Sequence, residues 1–73
     1  MFINIQKLKG KIVELGLSIA EVAEKMEINK ATLYRKLENG GATLTVKDAN
    51  LLVKILDLTA EEAMAIFFAQ KVA

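Results

Sequence analysis

The sequence contains no cysteine, no histidine, no proline and no tryptophan. Without cysteine, the chain can form neither disulfide bonds nor a thiolate metal site. Without histidine, it lacks the commonest metal ligand and the usual general base at neutral pH. These absences argue against an enzyme or a metalloprotein, and we expect neither catalysis nor a bound cofactor.

Long apolar runs are also absent. Although 53% of the residues are hydrophobic, no stretch approaches the roughly 18 apolar residues that a membrane span needs. The start, Met1-Phe2-Ile3-Asn4, has no basic segment followed by an apolar one, so it does not resemble a signal peptide. We therefore expect a cytoplasmic protein that does not bind membranes.

Length and composition favour one domain covering residues 1–73. A chain of 73 residues is too short for two cores, and its high hydrophobic content argues against a disordered tail. The net charge of +1 indicates no particular partner. Residues 1–38 carry seven Lys or Arg against five Glu, so basic side chains are slightly enriched in the first half.

Apolar residues recur at three- and four-residue steps in five segments, which predicts five short helices and no strand. The first helix is expected to begin after Asn4 and to stop at Gly16. Gly10 lies inside this helix, where glycine is unfavourable, and a close approach of another helix would explain it. The predicted fold class is therefore all-α.

Capping boxes are predicted at the start of three helices. In this motif a hydroxyl side chain and an acid three residues later each bind the other's backbone N–H. Ser18, Thr45 and Thr59 open the second, fourth and fifth helices in this way. The fifth helix is predicted over Ala60 to about Gln70.

The third and fourth helices have distinct signals. The third is predicted from Asn29 or Lys30 to about Glu38, and it ends at residues 39–41, Asn-Gly-Gly, which tolerate the left-handed conformation. The fourth has little polar face, so we expect it to be central. Its apolar residues are Val46, Ala49, Leu52, Val53 and Leu56.

Residues 18–40, SIAEVAEKMEINKATLYRKLENG, hold two short helices separated by a three-residue break. Ala23 lies in the middle of the first, where a small side chain allows the second helix to cross closely. Ile28 is expected to fill the turn, and Leu33 to anchor the second helix. This arrangement leaves the second of the two helices projecting, as in a helix-turn-helix that enters the DNA major groove.

Helical geometry selects the outward residues of the third helix, because Leu33 and Leu37 face inward. Arg and Lys pair with guanine, Asn pairs with adenine, and an alanine or a ring contacts the thymine methyl. The residues predicted to read bases are Asn29, Lys30, Ala31, Tyr34 and Arg35. The residues predicted to contact phosphates, which fix the register on DNA, are Ser18, Thr32, Lys36 and Thr43.

Several of these residues have a structural alternative. Asn29 suits the N-cap of the third helix, a role compatible with base reading. The basic residues of this helix are also consistent with a solvated face, and Tyr34 with packing on the domain surface. Glu61 and Glu62 are interpreted as first-turn acids that complement the helix dipole, not as a catalytic pair.

The stretch 18–40 resembles the Cro/CI (XRE-like) family of bacterial and phage repressors. Ala23, Ile28, Leu33 and the closing Glu-Asn-Gly of residues 38–40 occupy family positions. Residues 32–37, TLYRKL, and the tail over 45–68 resemble small regulators of temperate phages and prophages of Firmicutes. The resemblance implies a lambda-repressor-like bundle of four or five helices that binds a double-stranded DNA operator.

The chain departs from the family pattern at three points. The family usually has glycine in the turn, where this chain has Glu27, so we expect a strained left-handed residue or a different turn there. Many relatives carry a DNA-contacting glutamine where this chain has Ile19. The third helix is also one residue longer before its Glu-Asn-Gly ending than in many members.

The fifth helix has apolar residues on two sides. Ala63, Ile66 and Phe67 suit one inward face. A second stripe, roughly 100° away, exceeds what a small core needs, and it predicts a homodimer interface, with a larger monomer core as the alternative. The stripe consists of Met64, Phe68 and Val72.

The predicted function is that of a sequence-specific, Cro-like transcriptional repressor whose third helix reads the major groove. The alternative is an antirepressor or modulator that binds a partner phage repressor protein instead of DNA, or in addition to it. The weak net charge leaves this alternative open, because non-specific DNA affinity rests on phosphate neutralisation.

Overall fold

The computed structural model describes residues 3–67. Within this range the chain forms five α-helices, one 3₁₀ turn at Asn39–Gly41 and no strand, which confirms the predicted all-α fold. The helices are α1 (Ile5–Glu14), α2 (Ile19–Lys25), α3 (Lys30–Leu37), α4 (Val46–Ile55) and α5 (Ala60–Phe67).

The starts of α2, α4 and α5 are closed by capping boxes. The hydroxyl of Ser18 accepts a hydrogen bond from the Glu21 N–H at 3.1 Å, and the Glu21 carboxylate accepts one from the Ser18 N–H at 2.9 Å. The same reciprocal pair of bonds opens α4 at Thr45 and α5 at Thr59. All three predicted capping boxes are therefore confirmed.

Helices α1, α2 and α4 end in one common way. The residue after each C-cap is left-handed: Gly16 has φ 72°, Glu27 has φ 60° and Asp57 has φ 50°. At the end of α2, the N–H of Ile28 donates to the Ala23 carbonyl at 3.0 Å, and the Glu27 N–H donates to the carbonyl of residue 24 at 3.0 Å. These are the two bonds of a Schellman motif, so Glu27 occupies a position that favours glycine.

Replacing Glu27 with glycine is expected to raise the free energy of unfolding by about 0.5–1 kcal/mol. The left-handed conformation costs a non-glycine residue about 1–2 kcal/mol, and the extra freedom of glycine in the unfolded chain offsets part of the gain. Urea unfolding followed by circular dichroism measures the change. The control is Glu24→Gly in the exposed face of α2, which should lower stability by about 1 kcal/mol. A loss of stability at both positions would contradict the prediction.

All five helices contribute to one core. The most completely buried side chains include Leu8 of α1, Val22 of α2, Leu33 of α3, Leu52 of α4 and Phe67 of α5, each 1% exposed or less. Ala63 and Ile66 are buried as well, so the predicted inward face of α5 is confirmed. The remainder of the predicted fifth helix, up to Gln70, lies outside the described residues.

Two positions pack differently from what the sequence suggested. Among residues 3–67, a Cβ added to Gly10 would meet no atom within 4 Å, so none of the described helices approaches closely there. Val46 is 61% exposed, because it lies about 90° around α4 from the inward stripe. That stripe is formed by Ala49, Leu52 and Leu56, all buried, so α4 has a solvent-facing side.

The turn after α3 packs against the beginning of the chain. Gly41 is buried with φ 77°, and a Cβ there would lie 3.1 Å from the Ile5 side chain and 3.2 Å from those of Ile3 and Leu44. A side chain at position 41 would therefore be both strained and crowded. The contact fixes the direction in which the chain leaves α3.

Within residues 3–67, two ion pairs join one helix to another. Lys11 of α1 lies 2.8 Å from the carboxylate of Glu62 in α5, and 3.1 Å from that of Glu14. Lys36 of α3 lies 3.0 Å from Asp48 of α4. In both pairs the interhelical acid also closes a capping box, at α5 and α4 respectively. Each acid therefore fixes a helix start and its contact with a neighbouring helix.

None of the helices described between residues 3 and 67 combines the length and the apolar character needed to cross a bilayer.

Candidate nucleic-acid interface

Helices α2 and α3 pack directly on one another across a four-residue connection, residues 26–29. Ala23 and Leu33 are each 1% exposed, and Ile28 is half-buried between the two helices' ends. The sequence predicted these three roles, and the burial agrees with them. The result is a helix-turn-helix with the opposite face of α3 open to solvent.

The outward face of α3 collects the residues predicted to read bases. Leu33 and Leu37 are buried, and on the other side Tyr34 is 51% exposed. The structure places all five predicted residues at exposed positions on this surface, which we call the α3 face: Asn29, Lys30, Ala31, Tyr34 and Arg35. Their contact with bases stays a prediction.

Asn29 caps α3, as one of its two interpretations predicted. Its side-chain oxygen accepts a hydrogen bond from the Ala31 N–H at 2.7 Å. Bidentate pairing with adenine uses both the oxygen and the nitrogen of an asparagine amide. If Asn29 reads adenine, it must share its oxygen between the base and the helix cap.

Two surface grooves flank the α3 face. The first, which we call the α1–α3 groove, has a volume of about 330 Å³ and is lined by Tyr34 together with residues of α1 and of the start of α2. The second, of about 540 Å³, lies on the other side of α3. Three residues predicted to contact phosphates, Thr32, Lys36 and Thr43, line the second groove, and the fourth, Ser18, lines the first.

Lys36 has a protein partner that the sequence did not indicate. Its ammonium donates to the Asp48 carboxylate at 3.0 Å, and the same carboxylate oxygen accepts a bond from the Thr45 N–H at 3.1 Å. The side chains of Lys36 and Asp48 are only 23% and 16% exposed. The phosphate role of Lys36 stays a prediction, and a phosphate would compete with Asp48 for its ammonium.

These surroundings shift the pKa of Asp48. Burial alone would raise it, but the hydrogen bonds from the Thr45 backbone and the Lys36 ammonium outweigh burial and hold the pKa below its usual value of 3.8. The Lys11 hydrogen bond likewise lowers the pKa of Glu62 from its usual 4.5. Both acids are thus stabilised as carboxylates in the folded state.

We expect the domain to lose stability as the pH falls below about 4.5. A carboxyl group with a lowered pKa in the folded state stabilises the protein above its unfolded pKa, and the contribution is lost as the pH falls through the folded pKa. The usual values of 4.5 and 3.8 for Glu62 and Asp48 mark where the loss begins. Urea unfolding at pH 6, 4 and 3 measures it.

The control for this prediction is a pair of neutralising variants. Asp48→Asn should reduce the difference in stability between pH 6 and pH 3, because its carboxylate no longer titrates. Asp57→Asn is the matched control, because Asp57 is exposed and makes no ion pair with any described residue. Its difference in stability between pH 6 and pH 3 should be larger than that of Asp48→Asn. Equal pH dependence in the wild type and Asp48→Asn would contradict the interpretation.

Lys9 lines the α1–α3 groove beside Tyr34 and Ser18, although no sequence motif marks it as a functional residue. Lys9 and Tyr34 are 25 positions apart in the sequence, so no local pattern could have paired them. Ile19, one of the points at which the chain departs from the family it resembles, is half-buried in the same groove. Its hydrocarbon side chain cannot make the hydrogen bond that a glutamine would make.

The family model described as helix-turn-helix matches residues 8–62, from the second turn of α1 to the first turn of α5. The match covers well over half of the chain and includes the complete α2–α3 unit. Comparisons with curated proteins and with solved structures give no match.

Proposed function

Because the chain belongs to the XRE-like helix-turn-helix family, a family of DNA-binding transcription regulators, we propose that it is a sequence-specific, Cro-like repressor of a phage or prophage. It would act in the cytoplasm on a double-stranded operator. The observation that carries this proposal is the α3 face, where polar, basic and aromatic side chains are exposed around a helix anchored by Leu33.

In the proposed complex α3 lies in the major groove. Arg35 and Lys30 are suited to guanine, because their N–H groups can donate to O6 and N7. Ala31 and the ring of Tyr34 are suited to the methyl group of thymine. A few base pairs are read in this way, and the side chains of the flanking grooves hold the phosphates on either side.

The phosphate contacts are proposed for Ser18, Thr32, Thr43 and Lys36. Thr32 and Thr43 lie in the second groove with Arg35, so a phosphate held there would border the base that Arg35 reads. Ser18 begins α2 in the α1–α3 groove. These contacts would position α3 and would weaken as the salt concentration rises.

We further propose that the protein binds its operator as a homodimer. A single α3 contacts too few base pairs to select one site in a genome. Met64 of α5 is 62% exposed, and an apolar side chain with that exposure fits a contact between two copies. Phe68 and Val72, the other residues predicted for this interface, lie outside the described residues. Two half-sites would be about 34 Å apart along the duplex.

Selection of bound genomic fragments followed by footprinting tests both proposals. The wild type should protect an inverted repeat whose half-site centres are about 10 bp apart. Met64→Glu should weaken the footprint and lower the sedimentation coefficient. Val46→Glu makes the same change at an apolar residue of similar exposure, 61% against 62%, and should leave both unchanged.

Other outcomes would count against parts of the proposal. If the wild type is a monomer and protects a single half-site, the proposal of a homodimer is wrong. Recovery of no DNA, together with a stable complex with a partner phage repressor, would favour the antirepressor function instead. In that case substitutions at Tyr34 and Arg35 should weaken the protein complex.

A further inference from the structure

Two lysines of α1 have different surroundings. Lys11 is held by Glu62 at 2.8 Å and Glu14 at 3.1 Å, so its charge is balanced within the protein. Lys9 is exposed, and it makes no ion pair with any residue in the part of the chain that the structure describes. Being two residues apart, they point to different sides of α1, Lys11 toward α5 and Lys9 into the α1–α3 groove.

The α1–α3 groove combines three kinds of group. Lys9 supplies a cation, and Ser18 and Tyr34 supply hydroxyl groups. Much of the remaining wall is apolar, and its Val13 side chain is 73% exposed. A ligand that fits this lining must carry a negative charge and also present an apolar surface. A sugar–phosphate backbone has both, in its phosphates and in its deoxyribose rings.

The position of the groove supports the same ligand. The major groove of B-DNA is about 12 Å wide and is bordered by one backbone on each side. The α3 face likewise has a groove on each side, with Tyr34 in one and Thr32 and Arg35 in the other. A duplex that places α3 in its major groove would therefore bring one backbone to each of them.

We propose that the α1–α3 groove receives the backbone of the duplex that α3 reads, and that Lys9 contacts a phosphate there. This inference rests on the proposed function, since it requires α3 to bind DNA. It adds α1 to the DNA-contacting elements. It also gives the exposed side chain of Val13 a role in packing against a deoxyribose ring.

The salt dependence of binding tests the contact. Each phosphate contact contributes about 0.9 to the slope of log K against log salt. Lys9→Ala should therefore reduce the magnitude of the slope by about 0.9 and weaken binding roughly 5- to 10-fold at 0.1 M salt, on operator and random DNA alike. Lys9→Arg should restore most of the slope. Because Lys9 is exposed and unpaired among the described residues, the melting temperature should not change.

The matched control is Lys54→Ala. Lys54 is an exposed lysine of α4 and lines a groove that contains no residue of α3. Lys54→Ala should leave the slope of log K against log salt unchanged. That result would exclude a general effect of net charge on the slope. Ethylation interference gives a second readout: one phosphate should be found whose ethylation weakens the wild type but does not weaken Lys9→Ala further.

The possible failures are distinguishable. If the wild type binds its operator and Arg35→Ala weakens that binding, but Lys9→Ala has the wild-type slope, the proposed function stands and the Lys9 contact is wrong. Equal loss of slope in Lys9→Ala and Lys54→Ala would also overturn the contact. If the wild type binds no DNA at any salt concentration, the contact and the proposed function both fail.

Discussion

Replacing Arg35 with alanine is expected to lower affinity for the operator by about 1–3 kcal/mol, or roughly 5- to 150-fold, and to relax the preference at one base pair. Arg35 is exposed on the α3 face beside Ala31, one turn after the helix begins. Its guanidinium can donate two parallel hydrogen bonds to O6 and N7 of one guanine. Binding to random DNA should change much less, because that binding depends on phosphate contacts.

Titrations of operator and random DNA, at two salt concentrations, measure this effect. Arg35→Lys is the informative companion, since it keeps the charge but loses the two-pronged donor geometry. It should recover non-specific binding and only part of the preference for the operator. If Arg35→Ala weakens operator and random DNA by the same factor, Arg35 contacts the backbone and the base-reading role assigned to it is wrong.

Replacing Leu33 with alanine is expected to lower the free energy of unfolding by about 2–5 kcal/mol. Leu33 is 1% exposed, and removing most of its side chain leaves a cavity where α3 meets the core. A domain of this size has a total stability of roughly 4–11 kcal/mol, at 0.05–0.15 kcal/mol per residue. The substitution therefore removes a large share of that stability.

Urea unfolding followed by circular dichroism measures the loss at Leu33. Leu15→Ala provides the control, because Leu15 is 45% exposed and its truncation should cost well under 1 kcal/mol. Similar losses at the two positions would mean that Leu33 does not anchor α3. The exposed orientation of the α3 face, which depends on that anchor, would then need revision.

The sequence alone determined the helices and most of their ends. The capping boxes at Ser18, Thr45 and Thr59 and the left-handed position at Gly16 all appear in the structure. Each of these features depends on residues no more than five positions apart, so a local pattern is sufficient to predict it. The spacing of Leu33 and Leu37 likewise showed which side of α3 is buried, because a helix repeats every 3.6 residues.

Two features within single helices did not follow from local sequence patterns. The spacing of its apolar residues predicted little polar face on α4, yet Val46 is 61% exposed. A close approach of another helix would explain the glycine at position 10, yet a Cβ there would meet nothing within 4 Å among residues 3–67. Both features depend on which sides of a helix its neighbours cover, which the residues of that helix alone do not specify.

Only the tertiary structure decided how the helices meet. It paired Lys36 with Asp48 and Lys11 with Glu62, across separations of 12 and 51 residues, and it brought Lys9 beside Tyr34 in one groove. The local sequence around a lysine does not show which group its side chain reaches. The packing of the core determines which acid or groove lies beside it. The sequence therefore determined which residues α3 exposes, and the packing of α1 and α4 around α3 determined which cations lie beside them and which are already paired.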